Sequence, residues 1–294
     1  MTAPTRVVID VGTNTIKMTV ARMDRSRIVP LLECNAKPNA RLGAGFYGRQ
    51  KLRSDIMRAA AKAVRELSAK SGRYNPVSVR AIATSAVRDA NNREEFVDLV
   101  RRITGLSLEV LSGKTEAEWI FRGVTSDDTN NHEKLLVLGF GGGSTAAIVR
   151  ESGRVHYRSF DLGAVRLMEM LRIGRSPTKN DRARCEIYLS QVFKELIVPQ
   201  LKAVVTSKFE DFTLVVTGGV ATALAKMKIA ATKLTWDDEQ VRSFSSKEVS
   251  RTAKRLWALN HDERKAIPGL SKARCDVILP GLAILAGGAW KTTR

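Results

Sequence analysis

The chain has 294 residues, with 49 Lys and Arg against 30 Asp and Glu, a net charge of +19, and only three His and three Cys. A chain of this length buries roughly 75% of the surface its unfolded form exposes, so one large or two medium domains form without disulfide or metal staples. At 44% apolar and 27% charged residues the composition excludes a disordered or fibrous chain, and the longest uncharged run, Leu135 to Val149, stops at 15 residues, short of the roughly 20 that a membrane span requires.

The first residues pass from a few polar side chains straight into an apolar strand, which reads as no leader. Val7 to Asp10 is that strand, Gly12-Thr13-Asn14-Thr15 is a tight turn, and Ile16 to Val20 is a second strand, so the chain opens on a hairpin with small polar residues at its tip. Ser54 to Ala69 places Ile56, Ala60, Ala63, Val64 and Leu67 at helical spacing. Val77 to Ala83 reads as a strand, Glu94 to Ile103 as a helix closed by Gly105, Leu108 to Leu111 as a strand and Thr115 to Arg122 as a helix. This alternation is that of an α/β protein.

The polar stretch Thr125 to Lys134 marks a domain boundary, giving domains of 1–126 and 127–294. Beyond it the opening pattern recurs: strand Leu135 to Leu138, turn Gly139 to Thr145, strand Ala146 to Val149. The recurrence points to a duplicated fold with a cleft between its halves. Helices follow at Asp181 to Leu196 and at Ser246 to Leu259, the latter opened by the capping-box pattern Ser245-Ser246-Lys247-Glu248. Strand Leu214 to Val216 delivers Gly218 and Gly219 to the start of a small-residue helix, Ala221 to Met227. The last helix, about 281–294, is expected to pack back on the first domain.

Glycine turns let an anion approach backbone N–H groups, and Ser or Thr hydroxyls add donors. Thr13, Asn14 and Thr15 in the first turn, Gly141, Gly142, Gly143, Ser144 and Thr145 in the second, and Gly218 with Gly219 at a helix start form three such places. They point to phosphate binding. Gly113-Lys114-Thr115 is not a P-loop, because Leu108 stands where its first glycine belongs. Gly139 to Ser144 is not a dinucleotide fingerprint, because a strand follows it. His132, His156 and His261 have no metal-ligand spacing, and Cys34, Cys185 and Cys275 lie far apart, which suits a reducing cytoplasm. The charge attracts polyanions; aromatic residues at 6% leave little to stack bases on, so nucleic acid is not the expected main partner.

In order along the chain, Val8-Ile9-Asp10-Val11-Gly12-Thr13-Asn14-Thr15-Ile16-Lys17, Arg41-Leu42-Gly43, Ala83-Thr84-Ser85-Ala86-Val87-Arg88-Asp89-Ala90-Asn91, Ser112-Gly113-Lys114-Thr115-Glu116-Ala117, Gly141-Gly142-Gly143-Ser144-Thr145, Leu162-Gly163-Ala164-Val165-Arg166-Leu167, Thr217-Gly218-Gly219 and Pro280-Gly281 resemble the exopolyphosphatase and guanosine pentaphosphate phosphohydrolase family in its short form, which lacks an extra C-terminal His/Asp-type domain. The resemblance implies two ribonuclease-H-like, actin-like ATPase domains with an interdomain cleft, and hydrolysis of a terminal phosphoanhydride with Mg²⁺ or Mn²⁺. It implies Glu116 as the catalytic carboxylate, Asp10 as a partner in placing water or metal, and Lys17 and Arg88 as ligands of phosphate oxygens; Arg166 serves either phosphate or a fold salt bridge. It suggests a homodimer. The family generally carries Asp-x-Gly-Gly-Gly-Ser-Thr-Glu, whereas here the two acidic positions are Gly139 and Ala146. Three readings stay open: an exopolyphosphatase acting on inorganic polyphosphate, a guanosine pentaphosphate phosphohydrolase, and a catalytically weak regulator that binds polyphosphate or a nucleotide.

Overall fold

Val7, Ile9 and Val11 alternate with polar or exposed neighbours, and this period of two sets them on one buried face of a strand, β1 (Thr5–Val11). The computed structural model describes residues 3–24, 27–36 and 40–288. In the first half, β2 (Ile16–Asp24), β3 (Arg27–Asn35), β4 (Ser78–Ala83) and β5 (Leu108–Val110) join β1 in a sheet of order β3-β2-β1-β4-β5. The β1–β2 and β2–β3 pairs are antiparallel; β4 and β5 are parallel additions reached through α1 (Ser54–Ser71) and then α2 (Ser85–Arg88) and α3 (Arg93–Thr104). Helices α1 and α3 lay Ala60, Val64, Leu67, Phe96 and Val100 on the buried face of β1 and β2.

The second half repeats this plan. After α4 (Gly113–Thr125), β6 (Leu135–Phe140), β7 (Thr145–Glu151), β8 (Arg154–Phe160) and β9 (Thr213–Gly218) form a sheet of order β8-β7-β6-β9, again with an antiparallel hairpin pair and a parallel addition. Between β8 and β9 run α5 (Ala164–Met170), α6 (Lys179–Val192), a π-helical turn (Phe193–Ile197) and α7 (Val198–Lys202); after β9 come α8 (Gly219–Ala231), α9 (Glu239–Arg242), α10 (Ser246–Trp257), α11 (His261–Lys265) and α12 (Ile278–Gly288). Each half therefore has the ribonuclease-H-like order, and the α/β class expected from the sequence stands.

β6 is buried along its whole length, as expected for a strand covered on both faces. Its even residues Leu136, Leu138 and Phe140 enter the main core beside α8, α10 and α12, while Leu135 and Val137 meet Ala117, Ile120 and Phe121 of α4. The compact units are Met1–Glu116 and Ala117–Arg294, ten residues before the division at 126/127 expected from the sequence, and the apolar face of α4 packs on the second sheet. The described part of the last helix, α12, is central to the second unit's own core, with Leu279 and Leu282 fully buried and α5, α6, α8 and α10 around it. Residues 289–294 lie outside the described residues. No helix among the described residues is long and apolar enough to cross a membrane.

Candidate active site

In the first unit, Asp10 stands one residue before the end of β1, directly across from Lys17 on β2. The tip between them is closed by the Gly12 N–H donating to the Thr15 carbonyl at 3.1 Å. Buried Thr13 ties two further segments to this tip. Its carbonyl accepts from the Gly43 N–H at 2.8 Å, and its Oγ1 accepts from the Ala86 N–H at 3.2 Å. The Arg41-Leu42-Gly43 loop and α2 are thereby held at the hairpin, and α2 carries Arg88. Arg88 Nη1 donates to Glu116 Oε2 at 2.9 Å and to the Leu111 carbonyl at 3.2 Å, and Nε lies 3.5 Å from Asp89.

Glu116 sits in the first turn of α4, where the helix dipole favours an anion, and the Ser112 hydroxyl accepts from the Thr115 N–H in the same turn. Burial holds the Glu116 carboxyl above its ordinary range, with Arg88 opposing the rise. Asp10 is pushed up to about 6, chiefly by burial; Lys17 counteracts and Glu116 adds to the shift. Its Oδ1 is buried without a hydrogen-bond partner, and so are both polar atoms of the Asn14 amide. An unmet buried polar atom is costly. Three of them at one hairpin tip mark a place shaped for polar ligand atoms.

In the second unit the hairpin repeats almost atom for atom. The Gly141 N–H donates to the Ser144 carbonyl at 2.9 Å, and a Cβ on either Gly12 or Gly141 would lie 3.0 Å from that acceptor oxygen. The carbonyls of the tip are all used: Gly141 accepts from Ala164, Gly142 from Val165 and Arg166, and Gly143 from Arg166 Nε at 2.8 Å. Arg166 also reaches Asp161 at 3.2 Å, so it fixes the turn. Gly163 lies against this tip so closely that a Cβ would come within 2.5 Å of the Gly142 and Gly143 backbone. Ser144 is buried, and the Thr145 hydroxyl donates to the Leu162 carbonyl at 2.5 Å, which commits its proton. Gly218 adopts φ +104° and Gly219 begins α8, with the half-buried Arg274 guanidinium lying where a Gly219 Cβ would project.

The two hairpins align Asp10 with Gly139 and Lys17 with Ala146, each a cross-strand pair. Where the first hairpin carries a charged pair, the second carries two residues without functional groups. Ile120 of α4 fills the space, its Cδ1 3.0 Å from a Cβ built on Gly139. The structure thus gathers Asp10, Thr13, Asn14, Arg88 and Glu116 in the first unit, with exposed Lys17 across from Asp10, and Gly141 to Thr145 with Gly218 and Gly219 at the strand ends of the second. Arg274, whose guanidinium lies against Gly219, escaped the sequence reading as a site residue.

Two α/β units of ribonuclease-H-like strand order each carry a glycine and hydroxyl turn at the tip of the first hairpin. The sequence pattern of the Ppx/GppA phosphatase family matches residues 19–289, and the chain belongs to that family. Exopolyphosphatase 2 of Mycobacterium tuberculosis (strain ATCC 25618 / H37Rv) is 26% identical over 294 residues, 96% of this chain and 89% of that protein. The crystal structure of an exopolyphosphatase from Cytophaga hutchinsonii ATCC 33406 superposes with a TM-score of 0.85 at 26% identity, covering 98% of this chain and 90% of that one. The Aquifex aeolicus member of the Ppx/GppA family shares the fold, with a TM-score of 0.73 at 22% identity over 98% of this chain and 90% of that one.

Proposed function

We propose that the protein is an exopolyphosphatase-like phosphoanhydride hydrolase that releases terminal orthophosphate from inorganic polyphosphate. The observation that carries this reading is the half-buried charged set of the first unit: Glu116 held by Arg88, with Asp10, whose Oδ1 is buried without a hydrogen-bond partner, in its electrostatic reach. Family membership and the exopolyphosphatase relatives support the substrate class.

Glu116 offers one oxygen to Arg88, which fixes the carboxylate and leaves the second oxygen to take a proton from the attacking water. Arg88 and Lys17 supply positive charge for phosphate oxygens, whose charge spreads in a loose transition state. The backbone N–H groups of the first hairpin tip, with Thr13, Asn14 and Thr15 beside them, would cradle a phosphate, and Gly141 to Ser144 offer a cradle of the same build within the second unit. Among the described residues no group of three or more His, Cys, Asp or Glu forms a metal cage. Mg²⁺ is commonly held by one or two carboxylates and the substrate's own phosphates, and the buried, unpartnered Asp10 Oδ1 suits that role with Glu116 in its vicinity. Bound there, Mg²⁺ or Mn²⁺ would neutralise phosphate charge. The Gly139 and Ala146 pair offers no such ligand. A cytoplasmic location and a homodimer belong to the same reading; light scattering of the purified protein checks the second.

The test is phosphate release from polyphosphate and from guanosine pentaphosphate, each with Mg²⁺, with Mn²⁺ and with excess chelator. Release from polyphosphate that depends on the divalent cation is expected. Release from the nucleotide alone would transfer the protein to the second substrate, and tight, salt-sensitive binding without release from either would make it a regulator.

A further inference from the structure

Helix α10 has one face in the core, through Val249, Ala253, Leu256 and Trp257. Its other face carries Lys247, Arg251, Lys254 and Arg255, all exposed. At 100° per residue these four fall within an arc of about 100°, and at 1.5 Å per residue they span roughly 12 Å of helix. Like charges three and four residues apart repel one another, and among the described residues none of the four meets a carboxylate. The one acid within the helix, and one across the neighbouring groove, are engaged elsewhere. Glu248 caps Ser245 and pairs with Lys228 at 3.2 Å, and Glu186, across a groove of about 320 Å³ between α6, α10 and α12, pairs with Arg182 at 2.8 Å. The exposed charges of α1, α3 and α6 include acids: Glu66 on α1, Glu94 and Glu95 on α3, Glu186 on α6.

We propose that this stripe on α10 is a docking track for a linear polyphosphate chain, separate from the hairpin-tip residues. The inference rests on the polyphosphate reading and extends it from the terminal phosphates to the body of the substrate. A linear polyanion with a charge on every repeat matches a row of four cations on one helix face. A chain long enough to run along the roughly 12 Å of the stripe meets all four cations at once, whereas a short one meets fewer, so the stripe favours long chains over short ones.

The test compares wild type with the Lys247→Gln, Arg251→Gln, Lys254→Gln, Arg255→Gln variant. Gln keeps helix propensity close to that of Lys and Arg, and circular dichroism with a thermal melt verifies the fold. Binding of long-chain polyphosphate is measured at several salt concentrations, alongside tripolyphosphate turnover and binding of a single-stranded RNA. The expected result is at least a tenfold weaker long-chain affinity at low salt with a shallower salt dependence, while tripolyphosphate turnover is unchanged. Unchanged long-chain affinity would overturn the track, as would loss of RNA binding with polyphosphate binding intact. Wild-type binding without hydrolysis of any polyphosphate would defeat the hydrolase reading alone, because the binding comparison still decides the stripe.

Discussion

Glu116 and Arg88 keep about a fifth of their side-chain surface exposed, 20% and 18%, which is enough to admit water and too little to hydrate both charges. The pair therefore holds a carboxylate in place without removing it from chemistry. Thr13 has a different task. It joins three segments through two hydrogen bonds, and Thr13→Val should lower folding stability by about 1 kcal/mol and raise KM, measured by denaturant melts and steady-state kinetics. Much of this site was legible: the turn residues, Glu116 and Arg88 stand in motifs whose types and order are informative. The direction of each side chain was not. Thr145 reads as a phosphate donor from its position after Ser144, yet its hydroxyl turns to the Leu162 carbonyl, and Arg166 reads as ambiguous until its bonds to Gly143 and Asp161 are seen.

At the scale of elements, strands and helices with a buried face announce themselves by periodicity, and those without one do not. β3 went unread because it is an edge strand with Pro30 and exposed Ile28 and Val29, and β8 because it is the other sheet's edge, where His156 and Arg158 interrupt the apolar pattern. Caps were easier. The Ser245 and Glu248 box is present as read, and Ser245→Ala should cost about 1 kcal/mol in a urea melt. Packing at the glycine tip makes a sharper prediction. Gly163→Ala places a methyl 2.5 Å from the Gly142 and Gly143 backbone, and overpacking of this kind costs about 1–3 kcal/mol, so its melting temperature should fall and polyphosphate KM rise together.

Glu151, at the end of β7, accepts the Ser207 and Thr206 N–H groups at 2.9 and 2.7 Å, and the Ser207 side chain together with these backbone bonds lowers its carboxyl to about 2 from the ordinary 4.5. A depressed pKa stabilises the fold fully above about 4.5 and less as pH falls toward 2. Glu151→Gln should melt lower than wild type at pH 7, and the gap should close as melts are repeated between pH 4.5 and 2. A gap independent of pH would assign the effect to shape and not to charge.

For the whole molecule, the net charge of +19 gains meaning from the duplication. Two hairpins of the same build present their tips, but only the first keeps a charged cross-strand pair. Apolar Ile120 occupies the matching place in the second. On the proposed function, proton transfer and any metal binding would belong to the first unit, whose hairpin alone carries the charged cross-strand pair. That division could not be read from periodicity, because Gly139 and Ala146 fit a buried strand as well as any apolar residue does. The resemblance to the family already marked them as lost acids; the register adds that they face each other across the strands, and α4 that Ile120 closes on Gly139.

If Glu116 takes the proton from water during phosphoanhydride hydrolysis, its replacement separates turnover from binding. Phosphate release from polyphosphate with Mg²⁺ is compared between wild type and Glu116→Gln, with polyphosphate binding and melting temperature measured on both. The expected kcat of the variant is lower by about 10²–10⁴-fold, with binding and fold retained. Equal turnover by the two proteins would remove Glu116 from the reaction.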